Sequence, residues 1–234
     1  MIECVFFDLY GTLITFRNRE AIQRAAAARH GIELSGAQAR RGYAAADAMM
    51  ARHGEYTKLR GAEREQFFAR YEQLVLEGSG RPVSRETALE VWRLVAAERP
   101  GFALFDDAVP GLTRLNDLGV TLGLISNIDR GGEELRRELG LGDLVKFAIT
   151  SQDCGREKPD PGIFRAALER AGCDAARAVH VGDQVATDIK GAEAAGVRAV
   201  LLDRSEAFPD YNRHPRLATI EEVAAWVAER RAEG

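Results

Sequence analysis

Four short segments of this chain carry side chains able to do chemistry, three at or just past the end of an apolar run and one before a helix start. Asp8 follows Val5-Phe6-Phe7 and leads into Leu9-Tyr10-Gly11-Thr12. A carboxylate at a strand end above a tight glycine turn can be presented to a ligand. Ser126-Asn127 closes the run Leu124-Ile125 and offers a hydroxyl and an amide to an oxyanion. Lys158 stands in Gly155-Arg156-Glu157-Lys158-Pro159-Asp160-Pro161, just before a helix start. The ammonium and the positive helix end can both neutralise a phosphate or a carboxylate. Asp183 and Asp188 follow the strand-like run ending at Val181. Two carboxylates on one turn leave room for a hard cation, and Mg²⁺ takes one or two carboxylates with waters and phosphate oxygens. Taken singly, each segment has a plainer reading: a turn Asp, a Ser-Asn turn, a loop Lys, an acidic helix start.

The elements that must position these residues are readable in outline. Residues 2–8 form a short buried strand. Residues 16–99 carry only helical signals. These are an Ala-rich stretch at Ala21–Ala28 and a capping box at Ser35-Gly36-Ala37-Gln38. Apolar spacing follows through Phe67, Phe68, Tyr71, Leu74 and Val75, and then a helix capped by Ser84 that runs to about Ala97. Pro100-Gly101 closes that region. Beyond it strands and helices alternate. Strands are expected at 120–126, 146–150, 178–181 and 197–202. Helices are expected near 108–118, 131–139, from Pro161 to about 171, 186–195 and 220–231. The alternation predicts an α/β fold, a parallel sheet covered on both faces. The expected division is a core of residues 1–14 and 101–234 with an all-helical cap of residues 15–100 inserted after the first strand. Such an insert leaves from the carboxyl edge of the sheet, where open α/β sheets bind ligands, so a lid is expected.

Composition bounds the function. The formal net charge of −4 gives no overall pull toward nucleic acid or anionic membranes. Residues 15–100 hold 15 Lys or Arg against 11 Asp or Glu, whereas the remainder holds 17 against 25. An acidic core with a basic insert suits a cation in the core and a small anionic substrate; solvated, Arg-rich helix faces would give the same counts. Cys4, Cys154 and Cys173 are odd in number and far apart, which fits a reducing compartment and no disulfide framework. Without a spanning apolar run or a signal peptide, the expected location is cytoplasmic, as a monomer or homodimer, with no membrane or nucleic-acid partner. His180, inside an apolar strand, reads as a hydrogen-bonded core histidine. His30, His53 and His214 have no partner in sequence.

The order of the four segments carries more than any one of them. Asp-x-x-Gly-Thr at Asp8–Thr12, Ser126-Asn127, Lys158-Pro159-Asp160 and Gly182-Asp183 with Asp188 together resemble the four motifs of the haloacid dehalogenase superfamily. The resemblance covers about residues 1–14 and 101–205. It implies a Rossmann-like core and a mechanism in which Asp8 is the nucleophile of a covalent aspartyl intermediate. It also implies that Ser126 and Asn127 bind the transferred group and that Lys158 offsets charge on nucleophile and substrate. Mg²⁺ would be held by Asp8, Asp183 and the Tyr10 backbone carbonyl, with Asp188 in support.

One position departs from that pattern. Phosphatases of the superfamily carry a second Asp where this chain has Tyr10, and that Asp protonates the leaving alcohol. A phenol titrating near ~10 is a poor base at neutral pH, and general acid–base help is worth ~10²–10⁴-fold. The first motif thus resembles that of the metal-independent 2-haloacid dehalogenases, whereas Asp183 resembles the Mg²⁺-dependent phosphatases. The expected activity is Mg²⁺-dependent hydrolysis of a small phosphorylated metabolite. The alternatives are metal-independent halide release and a weakly active or non-catalytic ligand-binding role.

Overall fold

The computed structural model describes residues 1–53, 56–98 and 101–232. The chain starts with β1 (Cys4–Phe7) and β2 (Ile14–Phe16), followed by four helices, α1 (Arg19–Ala28), α2 (Gly36–His53), α3 (Gly61–Glu77) and α4 (Arg85–Ala97). It continues through β3 (Phe102–Leu104), α5 (Ala108–Asp117), β4 (Thr121–Ser126), α6 (Gly132–Glu138), β5 (Phe147–Thr150), α7 (Ser151–Cys154) and α8 (Pro161–Ala171). It ends with β6 (Ala178–Gly182), α9 (Lys190–Ala194), β7 (Arg198–Leu202), β8 (Arg216–Leu217) and α10 (Ile220–Ala232). Two compact units result. One is Met1–Thr15 with Ala103–Arg204 and Pro209–Gly234, and the other is Phe16–Phe102 with Ser205–Phe208.

The first unit is built on a six-stranded parallel sheet of order β5-β4-β1-β6-β7-β8. The residues of β1 and β6 are buried throughout, and β4 and β7 are buried after their first residue. Such near-continuous apolar runs are what a sheet covered on both faces needs. Phe7 pairs with Leu124 on one side and Val181 on the other, so the ends of β4, β1 and β6 lie side by side. α8 buries Ile163, Phe164 and Ala167; its start is set by Asp160, whose Oδ1 accepts from the Gly162 N–H at 2.7 Å, and by Pro161 in the first turn, as the sequence leads one to expect.

Two strand features escaped the sequence reading. β8 is two residues long and pairs with Leu201 and Leu202, too short to show any period. β2 and β3 form a separate two-stranded sheet, where only a helical start and a helix stop were read.

The second unit holds α1–α4, the helices expected from the spacing. Gln38 and Ser35 exchange both bonds of a capping box, at 3.2 and 2.8 Å. Ser84 Oγ accepts from the Thr87 N–H at 3.1 Å and opens α4. The Pro100 stop lies outside the described residues. Its core includes Ala26, Ala27, Leu34, Leu76, Ala88 and Val91. Among the described residues, no helix is long and apolar enough to cross a membrane, and all three cysteines are free.

A polar pair, Gln23 and Glu72, lies buried inside this helical unit. Glu72 is 1% exposed; the Gln23 amide donates to it, and Tyr43 Oη lies 3.1 Å from Gln23 Oε1. Burial drives the Glu72 carboxyl from its ordinary 4.5 up to about 7, against the Gln23 bond, which lowers it. A raised acid contributes stability that is full below pH 4.5 and is lost as pH rises to about 7. Glu72→Gln keeps the acceptor for Gln23 and removes the charge. Urea unfolding of the full chain is therefore expected to show the variant about 3 kcal/mol more stable than wild type above neutral pH, with the gain vanishing at acid pH. An equal gain at both ends would contradict a buried titrating carboxyl.

Candidate active site

Asp8 comes directly after β1, and its N–H donates to the Val181 carbonyl at 2.8 Å, so the backbone keeps step with β6 one residue past the strand. Its side chain is buried. The chain then turns through Tyr10, half-buried and bridged by backbone to Ile14, and Gly11. Gly11 has φ +84°, a left-handed conformation, and a Cβ there would stand 2.4 Å from Asp183 Oδ2. Only glycine satisfies both demands, so the turn and the Asp183 carboxylate are built against each other.

Lys158 reaches in from the segment before α8 and is 2% exposed. Its Nζ donates to Asp8 Oδ1 at 2.5 Å and to Asp188 Oδ1 at 2.6 Å. Asn127, one residue past β4, holds the lysine's backbone: Asn127 Oδ1 accepts from the Lys158 N–H at 2.7 Å, and Nδ2 donates to the Lys158 carbonyl at 2.9 Å. Ser126 is buried at the β4 end itself.

Asp188 is placed by an irregular turn. A helix from about 186 was expected; instead Val185–Ile189 is a single π-helical turn, closed by the Lys190 N–H on the Val185 carbonyl, and α9 begins only at Lys190. Such wide turns recur at functional sites because they swing one side chain out of helical register. Here Asp188 Oδ2 accepts from the Gln184 N–H at 3.0 Å while Oδ1 meets Lys158 and, at 3.1 Å, His180 Nε2. The side chain fits against β6 because Gly182 lacks a Cβ, which would lie 2.3 Å from Asp188 Cγ. Gly182→Ala is therefore expected to push Asp188 off Lys158. A crystal structure of the variant with Asp188 still bonded to Lys158 would contradict this.

Asp8, Asp183 and Asp188 can each bring an oxygen to within 4.8 Å of the others. Asp183 Oδ1 is buried and has no hydrogen-bond partner. Two of these carboxylates, Asp8 and Asp188, share the Lys158 ammonium and the third does not bond it, and the electrostatics follow. Burial raises Asp8 to about 6 although Lys158 pulls it down. Burial, then the Asp8 and Asp188 charges, holds Asp183 well above the carboxylate range. Burial would raise Asp188 too, but Lys158 and the His180 bond hold it at about 2. Burial opposes the Lys158 charge, yet the two carboxylates beside it keep the ammonium protonated.

The sequence pointed to Asp8, Lys158, Asp183 and Asp188, and the fold brings all four together. Ser126 and Asn127 lie at the neighbouring strand end, where the Asn127 side chain is engaged with the Lys158 backbone. His180 is the buried, hydrogen-bonded histidine expected, but its link to Asp188 was not foreseen, nor were the roles of Gly182 and the Gln184 N–H. No local pattern joins His180 to Asp188, because the bond spans a strand end and a π-helical turn.

A family model described as haloacid dehalogenase-like hydrolase matches residues 2–196. The chain belongs to the haloacid dehalogenase-like hydrolase family. Among relatives, a haloacid dehalogenase-like hydrolase domain-containing protein 3 of Danio rerio is 40% identical over 103 residues, 44% of this chain and 43% of that protein. A phosphoserine phosphatase of Thermus thermophilus is 34% identical over 150 residues, 60% of this chain and 58% of that one. The chain spans about half the length of the curated relatives it matches. Among solved structures, a 2-haloacid dehalogenase from Pseudomonas syringae superposes with a TM-score of 0.58 at 28% identity, covering 98% of this chain and 100% of that one. As in other α/β sheets, this haloacid dehalogenase-like hydrolase gathers its polar side chains outside the carboxyl ends of adjacent strands.

Proposed function

We propose that this chain hydrolyses small phosphorylated compounds through an aspartyl intermediate on Asp8, with a divalent cation such as Mg²⁺ held beside it. The observation that carries this reading is the charge balance: three carboxylates gather within 4.8 Å of one another, the one lysine beside them bonds only Asp8 and Asp188, and one oxygen, Asp183 Oδ1, is left unpartnered. A buried carboxylate oxygen without a partner is costly, and a hard cation with oxygen ligands removes that cost. The residues present fit such an ion. Asp8 and Asp183 would hold it together with the Tyr10 backbone carbonyl, and Asp188, already engaged by Lys158, His180 and Gln184, would support it. When bound, the cation offsets the repulsion between an anionic nucleophile and an anionic phosphate.

The chain's own groups account for the rest. A carboxylate oxygen of Asp8 attacks phosphorus, and the bond to the leaving group breaks with its electron pair on the departing oxygen. Lys158 holds Asp8 in place and neutralises part of the charge that builds up. Ser126, buried at the next strand end, would bind the transferred group. Water then cleaves the acyl phosphate, which restores the Asp8 carboxylate and releases phosphate. With Tyr10 in place of a carboxylic acid, leaving groups that depart without a proton, aryl or acyl phosphates, are favoured.

Steady-state turnover of an aryl phosphate is expected with Mg²⁺ and is expected to fall to background in chelator. Full activity in chelator would contradict the reading. A second reading, halide release from a 2-haloacid without metal, is favoured by Tyr10 and by the likeness to the Pseudomonas syringae dehalogenase. It requires halide from such an acid in chelator, and no release from a panel of 2-haloacids removes it.

A further inference from the structure

We propose that His180, as the neutral imidazole with its proton on Nε2, is a positioning residue that sets how Lys158 is shared between Asp188 and Asp8. The proposal rests on Asp8 being the nucleophile. His180 is fully buried and lies 3.1 Å from Asp188 Oδ1 through Nε2, while Nδ1 is buried without a partner. Asp188 is an ionised carboxylate and can only accept, so Nε2 must donate. A second proton on Nδ1 would have no acceptor and would add a buried cation close to Lys158. The ring is held edge-on to Phe164 with centroids 4.9 Å apart, so packing fixes its plane.

The consequence follows from the shared oxygen. Asp188 Oδ1 accepts from both Lys158 at 2.6 Å and His180 at 3.1 Å, and the same ammonium reaches Asp8 Oδ1 at 2.5 Å. Asp8 and Asp188 therefore compete for one Lys158. Donation from His180 partly satisfies Asp188 Oδ1 and weakens its hold on the lysine. Without it, Lys158 is drawn toward Asp188 and the nucleophile is left more loosely placed. His180 touches no reacting atom and acts only through Asp188 and Lys158.

Two variants and one spectrum test this. His180→Leu keeps the apolar volume and removes the donor. Its kcat is expected to fall roughly 10- to 100-fold with KM little changed, the range for partners one shell behind a site. His180→Gln restores a donor at the same reach and is expected to recover most of the loss. Equal losses in the two variants, or a loss confined to KM, would overturn the proposal. Independently of any activity, ¹⁵N-histidine NMR of the full wild-type chain near neutral pH, with and without Mg²⁺, should show the His180 proton on Nε2 and a bare Nδ1. A proton on Nδ1 would overturn it even if the leucine variant fails to fold. Absence of aryl phosphate turnover in wild type alongside the expected tautomer would instead count against the proposed activity while leaving the positioning intact.

Discussion

Asp8→Asn is expected to abolish aryl phosphate turnover, by about 10⁴-fold or more, while leaving the chain folded. Asn has nearly the same shape but no nucleophilic oxygen anion, so the covalent route closes. The fold should not suffer, for a reason the site's charge makes explicit. Burial raises the Asp8 carboxyl from 3.8 to about 6, so its ionisation opposes folding. Stability tied to its neutral form is full below pH 3.8 and is lost as pH rises through about 6. A neutral amide relieves the repulsion with Asp183 and Asp188, and Lys158 keeps Asp188 as its partner. Thermal melts in chelator above neutral pH should therefore place the variant at or above wild type, with the difference shrinking in acid. A variant that loses activity together with cooperative melting would mean that Asp8 is structural.

Tyr10→Asp is expected to raise turnover of alkyl phosphates by about 10²-fold or more, within the ~10²–10⁴ that general acid–base help supplies. An alkoxide is a poor leaving group and needs a proton as the bond breaks, which a phenol near ~10 supplies inefficiently at neutral pH. Aryl phosphates, whose leaving group departs as a phenolate, should gain little. The informative quantity is thus the ratio of the two substrates' kcat, measured on one preparation. Flat alkyl turnover in the variant would show that a missing acid is not what limits this site.

The two residues also mark the limits of what local sequence carries. Asp8 was recognisable because an apolar strand ending in Asp and a Gly-Thr turn is a local pattern. Three further local patterns follow it in a fixed order, each at the end of its own strand or at a helix start. The α/β alternation was legible for the same reason, since strand runs and helix caps such as Ser84 and Asp160 write their period and their ends into neighbouring residues. Elements without a period were not legible: β8 exists only because two residues find Leu201 and Leu202 beside them.

Tertiary structure alone decided how the site's residues are wired. That Lys158 bonds Asp8 across 150 positions and Asp188 across 30 depends on β1 lying between β4 and β6. The π-helical turn that aims Asp188 inward, the Asn127 amide on the Lys158 backbone and the His180 bond to Asp188 are likewise products of packing. Residue types and order state which charges the chain owns. Distances and burial, set by the sheet, state which of those charges must share a partner, and that sharing leaves Asp183 Oδ1 without one.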